Sequence, residues 1–128
     1  MKELIKRAVL WLWQLPQNIL AVLIFNLLGH WSYYAGKYRG DYMIVNKVIL
    51  SSFALGDYMF LTPKCSNRVI DHEHGHCIQS TYLGPLYLLV IAIPSVLHNI
   101  WYRICNRSWD YFSFYTEAWA EKLSKEDR

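Results

Sequence analysis

The spacing within His72-Glu73-His74-Gly75-His76 constrains this chain more than any other feature of it. The surrounding segment carries its own boundaries. Pro63 closes what precedes it, Ser66 or Asn67 is suited to cap a helix, and Gly84-Pro85 joins a C-terminal glycine to a proline that cannot continue one. A helix over 67–83 is predicted, with the motif at its centre. On that helix His72 and His76 lie one turn apart on the same face, so both imidazoles can reach one cation. Glu73 is rotated by about 100° from His72, beside the position the imidazoles leave open. His74 points about 200° away from His72, so His74 and Gly75 read as spacers.

Two imidazoles at this spacing with an adjacent carboxylate are the parts of a hydrolytic zinc site: His72 and His76 as ligands, Glu73 as the base that deprotonates water. A third protein ligand is required. The metzincin solution is excluded, because Gln79 and Tyr82 occupy the places where that pattern needs Gly and His. His98 could serve only if the apolar segment carrying it folds back. Glu117 and Glu121 share one face of a C-terminal helix at four-residue spacing, where like charges repel unless a cation lies near them. The intervening Ala118 and Ala120 allow close helix approach.

His72-Glu73-x-x-His76 followed by Glu117-x-x-Ala120-Glu121 resembles the gluzincin pattern of His-Glu-x-x-His and then Glu-x-x-Ala-Asp, found in membrane metallopeptidases of the CAAX-prenyl-protease and heat-shock-protease kind. The resemblance covers the motif helix and the last helix. It implies that His72, His76 and Glu117 hold Zn2+, that Glu73 is the general base, and that Glu121 hydrogen-bonds a ligand histidine without touching the metal. Glu121 is one methylene longer than the family's Asp. The resemblance also implies a small antiparallel sheet before the motif helix whose edge strand binds extended peptide, with Gly56 to Thr62 as the expected edge.

The rest of the chain is organised around that helix. With 128 residues it is expected to be one α+β domain. The basic start, Lys2 to Arg7, leads into an apolar anchor or interfacial helix over 8–29, interrupted by Gln14, Pro16, Gln17 and Asn18. Residues 30–40 read as a connector, and 42–62, rich in Val, Ile, Phe and Tyr with a Gly56-Asp57 turn, as two or three short antiparallel strands. An apolar helix over 85–102, divided at Pro94, and a last helix over 110–125 complete it. A chain that is 54% hydrophobic and 16% aromatic makes a lipid membrane an expected partner. A mean hydropathy of only +0.08 opposes a bundle made wholly of spanning helices. The net charge of +3 is spread along the chain, and no nucleic-acid footprint is visible. Basic residues flank the first apolar stretch on both sides, so orientation in the membrane stays open.

A single crossing by 85–102 would place Glu117 on the opposite side of a bilayer from His72 and His76. A re-entrant or interfacial hairpin returning to the same side is therefore expected, with buried core helices in a non-inserting domain as the other reading. Cys65, Cys77 and Cys105 lack the spacing of a zinc ribbon or redox pair and read as reduced, Cys77 as a packing residue. The expected activity is hydrolysis of a peptide or protein substrate, with an oxyanion stabiliser drawn from Tyr111, Tyr115, His98 or Arg103. The rival readings are a non-catalytic metal-binding scaffold and an immunity-type membrane protein without metal.

Overall fold

Pro16 decides the shape of the N-terminal apolar stretch. It sits in the first turn of α2 (Leu15–Leu27), where its missing N–H costs nothing, but its ring cannot extend the helix before it. α1 (Lys2–Trp13) therefore ends, and the two helices meet at Gln14 with a bend of 86°. The computed structural model describes residues 2–49, 51–104 and 114–126.

The interruptions of this stretch are its inner face. Gln14, Gln17 and Asn18 are fully buried, whereas Leu4, Leu12, Leu23 and Leu27 are all more than half exposed. Gln17 Nε2 donates to Ser80 Oγ and to the Gly84 carbonyl, both at 2.8 Å. Asn18 Oδ1 accepts from the Asp57 backbone N–H at 3.0 Å, and Gln14 Nε2 donates to Asp57 Oδ1 at 3.0 Å. The elbow is thus fastened to the body by amides and turns its apolar side chains outward, the inverse of an ordinary soluble domain. Gly56 makes this docking possible, because a Cβ there would stand 1.9 Å from Asn18 Oδ1.

Four strands follow: β1 (Ser32–Tyr38), β2 (Asp41–Asn46), β3 (Phe53–Leu55) and β4 (Tyr58–Leu61), in the spatial order β1-β2-β4-β3. The expectation of two or three antiparallel strands is corrected twice. Residues 32–38, read as a connector, form a strand whose largely exposed, tyrosine-rich pattern hides its alternation. The sheet is mixed, since β2 and β4 are parallel while β1/β2 and β3/β4 are antiparallel hairpins. The β3/β4 hairpin places β4, not β3, alongside β2. β4 is consequently interior, and the expected edge at Gly56 to Thr62 is wrong: the edge strands are β1 and β3.

α3 (Asn67–Leu83) is capped by the Ser66 hydroxyl, which accepts from the Val69 N–H at 3.3 Å, and ends at Gly84 with a φ of 55°. The chain then reverses through a 3₁₀ turn, Gly84–Leu86, and a π turn, Leu88–Ala92, into α4 (Ile93–Ile104). α3 and α4 are bent by 120° across this reversal. Pro94 does not divide the segment, as expected, but lies in the first turn of α4, where a proline is tolerated. Pro94 has no N–H for the Val90 carbonyl, and the Tyr115 hydroxyl donates to it instead at 2.8 Å. The last helix, α5 (Tyr115–Glu126), lies against α3.

One core cluster joins Ala21, Ile44, Leu55, Phe60, Tyr87 and Ile91 between sheet, α2 and the π turn; a second joins Ala54, Met59, Leu61 and Cys77 under α3. Among the described residues no single helix is long and apolar enough to cross a membrane, although the bent pairs α1/α2 and α3/α4 reach the required length and composition together.

Candidate metal centre

The motif lies where α3 and α5 come closest. Gly75 is no mere spacer: a Cβ on it would stand 2.0 Å from the Ala120 carbonyl oxygen, so its missing side chain lets the two backbones touch. Ala120 is wholly buried at the same contact. This approach delivers Glu117 and Glu121, one turn apart on α5, to His72 and His76, one turn apart on α3.

The ligand-type atoms converge. His72, Glu73 and His76 are buried, and each offers one donor atom within 4.8 Å of the others. Glu117, 1% exposed, places Oε1 2.9 Å from His72 Nε2 and 2.9 Å from His76 Nε2. Behind the rings, His72 Nδ1 lies 2.8 Å from Glu121 Oε1, and His76 Nδ1 lies 2.7 Å from Gln79 Oε1. Gln79 is itself oriented by donating Nε2 to the Thr116 carbonyl at 2.9 Å. Glu121 Oε1 and Gln79 Oε1 can only accept, so both Nδ1 atoms carry protons and both neutral rings turn Nε2 lone pairs inward. Three acceptors then meet at one point with no donor of their own.

Such a cluster needs positive charge. Without a metal it takes protons. Burial opposes a charged His76, but the hydrogen bond to Glu117 and the charges of Glu73 and Glu117 prevail and lift the imidazole to about 9. Burial alone would raise the Glu117 carboxyl, yet hydrogen bonds from both histidines hold it well below the usual carboxylate range. Burial pushes the Glu73 carboxyl up, against the pull of His76 and His72. Glu73 Oε2 is buried and makes no hydrogen bond among the described residues; the same holds for Gln14 Oε1, Gln17 Oε1 and Ser124 Oγ, which belong to neutral groups. Two imidazole nitrogens, a carboxylate and a second, orphaned carboxylate fit a divalent cation. The second oxygen of Glu117 is held by Ser95 Oγ at 2.7 Å and by the Thr116 hydroxyl, which fixes the carboxylate's plane.

His74, read as a spacer, has a role of its own. It is buried, its Nδ1 pairs with the Asp41 carboxylate, and its ring meets Tyr38 edge to face at 5.9 Å. Burial raises the Asp41 carboxyl while the partnership with His74 lowers it. The pair joins the opposite face of α3 to the start of β2. Cys77 is buried in the second core cluster, and burial pushes its thiol well up.

The expected oxyanion stabilisers separate. Tyr115 is engaged with Val90, and His98 stacks on Phe114 at 4.3 Å without lining the cavities beside Glu73. Arg103 does line one of them, donating Nε to Asn99 Oδ1 at 2.9 Å. Tyr111 and Cys105 lie outside the described residues. Gln79, Thr116, Ser95 and Asp41 were missed by sequence reasoning. Gln79 stands three residues after His76, a helical spacing that could have revealed it; Ser95 and Asp41 carry no local signal.

Two cavities adjoin the centre. One of about 520 Å³ is mainly apolar, with Leu20, Phe53, Leu55, Tyr87, Val96 and Ile100 around Glu73, His76 and Glu117. The other, of about 490 Å³, has a mixed polar and apolar lining and reaches His72 and Glu73 from the side of Lys64 and Arg103. Comparison with protein-family models, with curated proteins and with solved structures found no match for this chain. The class that fold and site define is an α+β protein with a buried His-Glu-His group able to hold a metal ion.

Proposed function

We propose that this chain is a zinc-dependent peptidase, a minimal gluzincin-type hydrolase working at a membrane surface. The observation that carries the reading is the convergence of His72 Nε2, His76 Nε2 and Glu117 Oε1 beside the orphaned Glu73 Oε2. Two imidazoles and a carboxylate are a ligand set of catalytic zinc, which leaves a position open to water or substrate. Zinc, when bound, supplies the Lewis acid that polarises a scissile carbonyl and acidifies water.

The residues would then divide the labour. His72, His76 and Glu117 hold the ion. Glu121 and Gln79 keep the two rings in the tautomer that binds, and Ser95 with Thr116 keeps Glu117 in place. Glu73 Oε2 accepts the proton of the attacking water and returns it to the leaving amine. Arg103 is the expected oxyanion candidate that faces the same cleft as Glu73. Membrane association is supported by the outward apolar faces of α1, α2, the π turn and α4, with Leu89, Leu97, Trp101 and Ile104 more than half exposed, and by Lys2, Lys6 and Arg7 at the start of α1.

The test is metal content and peptide cleavage by purified wild type and Glu73→Gln in detergent. Stoichiometric zinc in both proteins, with cleavage only in wild type, is expected. Zinc in both with no Glu73-dependent cleavage would leave the scaffold reading, and no zinc after reconstitution would leave the metal-free one.

A further inference from the structure

The two cavities are unlike each other and share a wall. The larger is walled by aliphatic and aromatic side chains, and its polar lining is confined mainly to the metal centre and to serines and an asparagine at its rim. The smaller has a mixed lining that includes Cys65 and Val69 beside serines, Thr62, Lys64 and Arg103, and Glu73 is its one carboxylate among the described residues. The amino end of α3, at Ser66 and Val69, borders it too, adding the positive pole of a helix dipole. Glu73, Ser51, Ser52 and Asn99 belong to both. Asn99 Nδ2 donates to Ser51 Oγ at 3.4 Å across this shared wall. Each cavity lies within the roughly 300–1,000 Å³ typical of ligand pockets.

Resting on the peptidase reading, we infer that the substrate is an amphipathic peptide that carries a bulky apolar side chain on one side of the scissile bond and a carboxylate on the other. The apolar side chain enters the chamber formed by α2, β3, the π turn and α4. The carboxylate enters the cleft of Lys64 and Arg103. A chain spanning both must pass Glu73, the residue they have in common that can move a proton. β3 contributes Phe53, Ala54 and Leu55 to the chamber and is an edge strand, so an extended segment can lie along it. The Ala54 carbonyl is occupied by the Tyr87 hydroxyl at 3.1 Å, which leaves side-chain pockets rather than a full ladder to set specificity.

An unbiased peptide mixture is digested with zinc-loaded wild type in detergent, the products are read by mass spectrometry, and only cleavages lost in Glu73→Gln are counted. The expected profile enriches large apolar residues on one side of the cut and Asp or Glu on the other. Val96→Trp, at a half-exposed position on the chamber wall, should shift the apolar preference to smaller side chains. Lys64→Glu, which leaves the oxyanion candidate Arg103 in place, should abolish the acidic preference. Binding supplies an arm independent of turnover: a labelled acidic-apolar peptide held by the Glu73→Gln protein should bind roughly tenfold more weakly when Lys64→Glu and Arg103→Glu are added, and more weakly with rising salt. Amidating that peptide's C-terminus distinguishes a terminal carboxylate from a side-chain one. Glu73-dependent cleavage without the paired bias, or binding indifferent to charge reversal, overturns the substrate class while leaving the peptidase. Binding of the expected kind without any Glu73-dependent cleavage keeps the cleft's specificity and overturns the peptidase.

Discussion

The elbow of α1 and α2 and the crossing of α3 with α5 both bury polar side chains, with opposite results. In the elbow the buried groups are neutral amides, and each of Gln14, Gln17 and Asn18 donates to an oxygen of the protein. In the crossing they are imidazoles and carboxylates whose inward atoms are all acceptors once Glu121 and Gln79 have taken the Nδ1 protons. Neutral amide donors matched to a carboxylate, a hydroxyl and a carbonyl are adhesive, and the amide oxygens of Gln14 and Gln17 left without a partner carry no charge. Buried acceptors facing each other are short of positive charge, and burial strengthens that shortage because little solvent remains to screen it. The difference teaches where chemistry resides: in the cluster whose unsatisfied acceptor is a carboxylate rather than a neutral amide.

The sharpest way to break this contrast is Glu73→Gln, which keeps shape and removes the proton acceptor. Peptide cleavage should fall by about 10²–10⁴-fold with zinc content unchanged, measured by steady-state kinetics and elemental analysis. Removing the metal comes next. A chelator should lower stability by about 3–4 kcal/mol relative to protein in zinc at several hundred times the dissociation constant, read as a fall in Tm that zinc restores. An unchanged Tm would place the ion outside the folded core.

Gly75→Ala tests whether the crossing needs backbone contact. Its Cβ meets the Ala120 carbonyl, so α3 and α5 must separate, at a cost of about 1–3 kcal/mol in denaturant unfolding and with weakened zinc binding. Gln17→Leu breaks the elbow instead. It strands the Gly84 carbonyl and the Ser80 hydroxyl and should cost about 1–2 kcal/mol, with zinc affinity intact. Equal loss of zinc in both variants would mean that the two regions are not independent.

Asp57 should give the smallest effect. Burial raises its carboxyl above the ordinary value, with Gln14 opposing. A group whose folded-state pKa is raised contributes stability below its unfolded value, and that contribution disappears as pH rises through the folded one. Asp57→Asn keeps the acceptor for Gln14 and cannot ionise. The variant should therefore have the higher Tm at pH 7, and the gap should close below about pH 4, where wild-type Asp57 is protonated in both states.

How much of this was readable beforehand differs by region. The ends of α3, at Ser66 and Gly84, follow from capping chemistry within a few residues of each end. The shared face of His72 and His76, and that of Glu117 and Glu121, follow from helical pitch. The elbow was misread in emphasis: Gln14, Gln17 and Asn18 looked like flaws in an apolar stretch and are its contact surface. That inversion is invisible locally, because a period of polar residues does not say which side of the helix meets protein.

The motif of residues 72–76 thus determined by itself that two imidazoles and a carboxylate would share a helix, since spacing and pitch suffice for that. The tertiary structure decided the rest. It brought Glu117 to 2.9 Å from both rings, turned His74 to Asp41, made β3 rather than β4 the edge, and set an apolar chamber against a cleft that carries Lys64 and Arg103. The contacts of Glu117 and Asp41 with these rings join residues 33 to 45 positions apart. Loop paths, the missing Cβ of Gly75 and the docking of whole elements govern such contacts, and no local periodicity encodes them.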